Sequence, residues 1–106
     1  MADIDKKQAS HEALVDRILN GPGTAPAELR GEAFRGDGLP APLDGLIGKV
    51  AARPTEVTDA DFAAAQAAGF SEDQLFELVV CAAVGQSARQ YDAGLAALRG
   101  AAGDAT

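Results

Sequence analysis

SEDQLFELVVCAAVGQSARQYDAGLAALR, residues 71–99, reads as one long helix, and what that helix needs decides how the rest of the chain is arranged. Its start is marked chemically. Ser71 can accept a hydrogen bond from the Gln74 backbone N–H while the Gln74 side chain reaches back, the reciprocal pattern of a capping box, and Gly69 ends whatever precedes it. From residue 75 to residue 84 every side chain except Glu77 is apolar or small. A helix hydrophobic nearly all round has to be covered on more than one side, so this one is expected at the centre of a bundle or shared between subunits. The apolar run is too short for a bilayer, which takes about 20 residues.

Working outward, Thr58 with Asp61 three residues on is a second capping signal, and it opens a helix over 59–68 that Gly69 closes, with Phe70 able to fold back onto it. Before that, Leu43, Leu46, Ile47 and Val50 fall at i, i+3, i+4 and i+7, an amphipathic helix stopped by Arg53-Pro54. Gly45 and Gly48 inside it each cost about 1 kcal/mol relative to alanine, more tolerable where another helix packs against the bare backbone. Residues 36–42, GDGLPAP, form a turn or extended link. A short helix is expected over 25–35, with Pro26 in its first turn and Leu29, Ala33 and Phe34 facing inward. Another runs over 11–20 behind a Ser10 cap, with Leu14, Val15, Ile18 and Leu19 as its apolar face, and it stops at Gly21-Pro22-Gly23. Residues 1–9 read as a flexible lead-in and 100–106 as a flexible tail, leaving one domain over 10–99. No strand alternation appears. The fold class is all-α, a compact bundle of about five helices.

Composition narrows the partners. The chain has 106 residues, 47% of them hydrophobic, enough for a single modest core. Sixteen acidic against nine basic side chains leave a charge of −7 and no basic stripe, which speaks against nucleic acid. The N-terminus lacks a long apolar stretch and a small-residue cleavage site, so a cytoplasmic protein with no membrane attachment is expected. One cysteine excludes an intrachain disulfide, and one histidine, His11, excludes a His-rich metal set within the chain; no metal and no cofactor are expected. The glycine-bearing segments 21–23 and 36–38 lack the lysine and preceding strand of a phosphate loop and read as turns.

The second half resembles a known family. AAGFSEDQLFELVVCAAVG followed by DAGLAAL, within residues 39–98, is similar to the carboxymuconolactone decarboxylase and alkyl hydroperoxidase D-like (AhpD-like) superfamily. That resemblance implies a helical fold that often assembles into homo-oligomers. Its peroxidase members carry a glutamate, a Cys-x-x-Cys pair and a histidine upstream of the Ala-Gly junction. Aligned on Gly69 without gaps, those positions hold a residue near Pro42, then Pro54, Val57 and Asp61. None matches, so no catalytic residue carries over and thiol-dependent peroxide reduction is not implied.

The long helix holds the remaining candidates. Cys81 is the one thiol, but Glu77 lies one turn before it on the same face, and a carboxylate plus apolar burial both disfavour thiolate. An inert core cysteine is the alternative. Glu77, inside an apolar run, must be paired, exposed or held neutral; a neutral acid could act as a general acid, and a bond to Arg53 or Arg89 would make it structural. Arg89 and Asp92, at i and i+3, are spaced for an ion pair. Glu77, Cys81, Gly85, Ala88 and Asp92 follow one line along the helix, either a ligand-pocket wall or ordinary close packing through the small residues. Candidate catalytic groups are therefore Glu77, Cys81 and Asp92, and candidate ligand contacts are Glu77, Cys81, Gly85, Arg89 and Asp92.

Three functions fit. The first is a homo-oligomeric protein of the carboxymuconolactone decarboxylase type without thiol redox chemistry, binding a small organic molecule and doing acid–base chemistry on it. The second is a catalytically inactive structural or protein-interaction module on the same fold, and the third a one-cysteine peroxidase acting through Cys81.

Overall fold

A computed structural model describes residues 2–104, and the predicted capping box at Ser71 is formed in it. The Ser71 N–H donates to Gln74 Oε1 at 2.9 Å, and the Gln74 N–H donates to Ser71 Oγ at 3.1 Å. The order is α1 (Ala2–Asn20), α2 (Ala27–Arg35), α3 (Leu43–Ala52), a 3-10 turn (Pro54–Glu56), α4 (Asp59–Ala67) and α5 (Glu72–Asp104). The described residues contain no strand, and the five helices pack together, in keeping with the all-α reading.

Both outer helices are longer than their sequence signals suggested. α1 begins at Ala2, so Ser10 is an interior residue and not a cap, and residues 2–9 expected as a lead-in are helical. The physical reason is local. Asp3 and Asp5 in the first turn favour the positive end of the dipole, and no glycine or proline interrupts the stretch. α5 likewise continues through Gly100 to Asp104, carried by its alanines, where fraying from residue 100 was expected. The expectations for Met1, Ala105 and Thr106 lie outside the described residues. α2 starts two residues later than predicted because Pro26 sits in extended geometry just ahead of it (ψ 141°).

These extensions change the shape. The chain measures 57 × 29 × 20 Å with a radius of gyration of 16.2 Å, against about 13 Å for a compact domain of this length. The bundle is therefore elongated and not compact. His11 of α1 stacks on Tyr91 of α5 with ring centroids 4.8 Å apart, while Ile18 lies beside Val80 along a shared cleft. α1 therefore runs antiparallel to α5.

The core lies under the first half of α5. Leu43, Leu46 and Ile47 of α3 are fully buried against Leu75, Leu78, Cys81 and Ala82 of α5, as the i, i+3, i+4 pattern of α3 requires. α4 is fixed at both ends. Thr58 and Asp61 form their capping box, and Lys49 Nζ from α3 reaches Asp61 Oδ1 at 3.1 Å. The Asp61 carboxyl titrates below its ordinary value, first because the Thr58 backbone N–H donates to it and then because Lys49 does. At the other end Gly69, with φ +106°, sends its N–H to Gln66 O at 3.0 Å, and the Phe70 N–H goes to Ala65 O at 3.3 Å, a Schellman closure. Gly45 and Gly48 are exposed, with nothing within 4 Å of where a Cβ would stand, so no helix of this chain packs on them.

Candidate functional site

The predicted line on α5 exists, and α2 covers it. Gly85 is the closest approach. A Cβ built there would collide with the Phe34 carbonyl oxygen and stand 2.8 and 2.9 Å from Phe34 C and Cα, so glycine is what lets the two backbones meet. Ala88, one turn on, is also buried. Of the two readings of this line, the structure takes close packing for its centre.

Glu77 from the line and Arg89 beside it hold the two ends of α2, and Asp92 takes no part. Glu77 Oε2 accepts the Ala25 N–H at 2.6 Å, and Oε1 accepts the Thr24 N–H at 2.8 Å and the Thr24 hydroxyl at 3.1 Å. Its neighbour Gln74 donates from Nε2 to the Thr24 carbonyl at 3.3 Å. Gly23 passes so close that a Cβ there would stand 3.0 Å from a Glu77 oxygen. Those N–H bonds, led by Thr24 and then Ala25, hold the Glu77 carboxyl below its ordinary value. Glu77 is bonded as an ionised acceptor is, and its partners are the Thr24 and Ala25 amides and the Thr24 hydroxyl, not Arg53 or Arg89. At the far end, Arg89 donates from Nη1 to Phe34 O at 2.7 Å and from Nη2 to Gln86 Oε1 at 2.9 Å. It is committed there and makes no ion pair with Asp92.

The geometry is matched to the helix dipole. Glu77 and Arg89 stand about 18 Å apart along α5, and α2 is about 14 Å long before its flanking residues are added. The anion therefore meets the N-terminal end of α2, and the cation its C-terminal end. α2 must run parallel to α5 for this to hold.

Cys81 is buried, 1% exposed, and burial pushes its thiol up, partly offset by Arg30, with Glu77 adding to the rise. It is a core side chain. The expected result is that native protein leaves Cys81 unmodified by iodoacetamide, with alkylation appearing only in denaturant; stoichiometric labelling of folded protein would show the thiol to be accessible.

Among the described residues the candidates border different cavities. Glu77 and Cys81 border a cleft of about 170 Å3 with Arg17, Arg30 and Phe76. Arg89 lines a separate depression beside Gly36 and Gly38, and exposed Asp92 lines a third with His11 and Phe34. Among the described residues no group of three or more His, Cys, Asp or Glu side chains converges on a metal position. No described helix is long and apolar enough to cross a membrane.

Three residues escaped the sequence reading. Arg30 is 8% exposed and donates from Nη1 to Gly21 O at 2.8 Å and Ile18 O at 3.2 Å, tying the end of α1 to α2. Its place on the inward stripe with Ala33 and Phe34, three and four residues on, was the available signal. Thr24 offered none, because its role depends on the backbone beside it. Phe76 belongs to the apolar run expected to be covered on more than one side, yet it is 68% exposed. The apolar surface of α5 is wider than the rest of the chain covers, leaving Phe76 and Ala83 outside with Val80 half-buried between them.

Phe76 stands between two openings. On one side is the Glu77 cleft. On the other is a groove of about 340 Å3 between α4 and α5, lined by Phe62, Gln66, Glu72, Leu75, Phe76 and Val79. No family model, curated protein or solved structure matches this chain, so the similarity to the carboxymuconolactone decarboxylase superfamily gains no support from comparison.

Proposed function

We propose that this chain is a protein-interaction module whose docking surface is the uncovered apolar side of α5 centred on Phe76. The observation that carries this reading is a phenylalanine 68% exposed on a structured helix, flanked by an apolar groove. Isolated exposed apolar side chains need no explanation, but one rimming a groove lined by Phe62, Leu75 and Val79 marks an interaction surface. Acid–base chemistry on a small molecule has less to stand on. Glu77 is saturated by amide and hydroxyl donors, Asp92 borders a different depression, and the cleft at Glu77 is smaller than the ~300–1,000 Å3 of ordinary ligand pockets. The single thiol is buried, which weighs equally against a peroxidase.

The test compares the native mass of the chain, isolated gently from its own host, with that of Phe76→Ser. The expected result is an assembly larger than one chain that falls to the monomer in the variant, while the melting temperature stays within a few degrees because the side chain is already in water. A wild-type chain that is monomeric in the host extract overturns the reading. A small molecule retained in native mass spectrometry and lost in Glu77→Gln would favour the ligand-binding function instead.

A further inference from the structure

We infer that the α4–α5 groove receives an amphipathic helix from a partner protein, with apolar residues on one face and lysine or arginine flanking them. The inference rests on the interaction-module reading and names its occupant. The shape comes first. Glu72, Leu75, Phe76 and Val79 line the groove at i, i+3, i+4 and i+7 of α5, and Phe62 and Gln66 at i and i+4 of α4 form the opposite wall. Two helices side by side leave a trough along their axes, the form that takes the apolar stripe of a third helix.

Charge then selects among helices. From Thr55 to Ala88 the sequence has no lysine or arginine but six acids, Glu56, Asp59, Asp61, Glu72, Asp73 and Glu77. Asp61 is paired with Lys49, Glu56 with Arg53, and Glu77 is held by the Thr24 and Ala25 amides. That leaves Asp59, Glu72 and Asp73, all exposed, on the two helices that form the groove. Glu72 itself lines it, Asp59 is one turn before Phe62 and Asp73 one turn before Phe76. A second copy seated here would bring the same acids and its own charge of −7 against them. A helix with cationic flanks meets the apolar floor and removes that repulsion.

The probe is a fluorescein-labelled synthetic helix with leucine at i, i+3, i+4 and i+7 and lysine elsewhere, titrated with the full chain and followed by anisotropy. Its counterpart has glutamate in place of every lysine. The lysine peptide is expected to bind at least tenfold tighter than the glutamate peptide, and to lose at least tenfold in Phe76→Ser and in Glu72→Lys combined with Asp73→Lys. The double reversal also flattens the salt dependence. Asp37→Lys, at the far end of α2, should change affinity by less than twofold. Equal binding of the two peptides, or binding indifferent to Phe76→Ser, overturns the inference. Sedimentation equilibrium of the chain alone separates the two levels of argument. A dimer abolished by Phe76→Ser assigns the groove to a second copy, which overturns the cationic occupant and keeps the module. Neither peptide binding nor self-association removes both.

Discussion

Replacing Gly85 with alanine is expected to lower stability by about 2–3 kcal/mol, although the same change in an ordinary helix interior raises it by about 1 kcal/mol. The reversal of sign is the point. Alanine is the better helix former because it restricts the unfolded backbone and brings no side-chain entropy cost. At Gly85 the added methyl falls on the Phe34 carbonyl, with Phe34 C at 2.8 Å and Cα at 2.9 Å. Those are backbone atoms, so no rotamer change relieves the overlap and α2 itself has to move. Moving it also strains the bond from Arg89 to the same carbonyl, 2.7 Å long. For a domain of this size the loss corresponds to a fall in melting temperature of roughly 10–20 °C. Gly48→Ala is the matched control, since nothing lies within 4 Å of its would-be Cβ, and it should gain up to about 1 kcal/mol. Urea unfolding of the two variants beside wild type decides the matter. A Gly85→Ala protein as stable as wild type would show that α2 does not press on α5 there.

That packing explains what was and was not legible in the sequence. Reciprocal caps and periodicity are local and legible: Ser71 with Gln74, Thr58 with Asp61, and the Leu43, Leu46, Ile47 stripe stand where the sequence places them, whereas Ser10, with no partner three residues on, is interior to α1 and not a cap. The alignment of Glu77, Cys81, Gly85 and Ala88 on one side of α5 also follows from helical geometry. What occupies that side does not. Thr24, Ala25 and the Phe34 carbonyl bind α5 mostly through backbone groups, and backbone groups carry no sequence signature. Small residues between two acids fit the wall of a pocket in sequence, whereas the middle of that wall is a helix seat. The helix ends failed for a related reason. Residues 2–9 carry no breaker, so helix propensity extends α1 through them, while at the other end α5 continues past Gly100 and Gly103, two residues that in sequence argue for a stop.

Glu77→Gln tests the other anchor, and its effect is expected to depend on pH. Near neutrality the variant should be about 2 kcal/mol less stable, the scale of hydrogen bonds to a charged acceptor after allowance for the solvent that reaches a half-buried side chain. An amide keeps one acceptor oxygen but turns its NH2 toward the Thr24 and Ala25 amides, donor against donor. The Glu77 carboxyl is lowered in the fold from its ordinary value of 4.5, so the folded chain binds fewer protons there than the unfolded chain. Its stabilisation is therefore complete above about 4.5 and is lost as pH falls through the lower folded-state value. Wild type also loses the contribution of Asp61 in acid, for its carboxyl is lowered too, but that loss is common to both proteins and cancels in their difference. The gap between wild type and Glu77→Gln should accordingly be widest above the ordinary carboxyl value of 4.5 and close as pH falls through the lower folded-state value, where a protonated acid and an amide offer the loop the same single acceptor. A gap that stays constant across that range would mean that packing around the side chain, and not its charge, is what Glu77 contributes to the seat of α2.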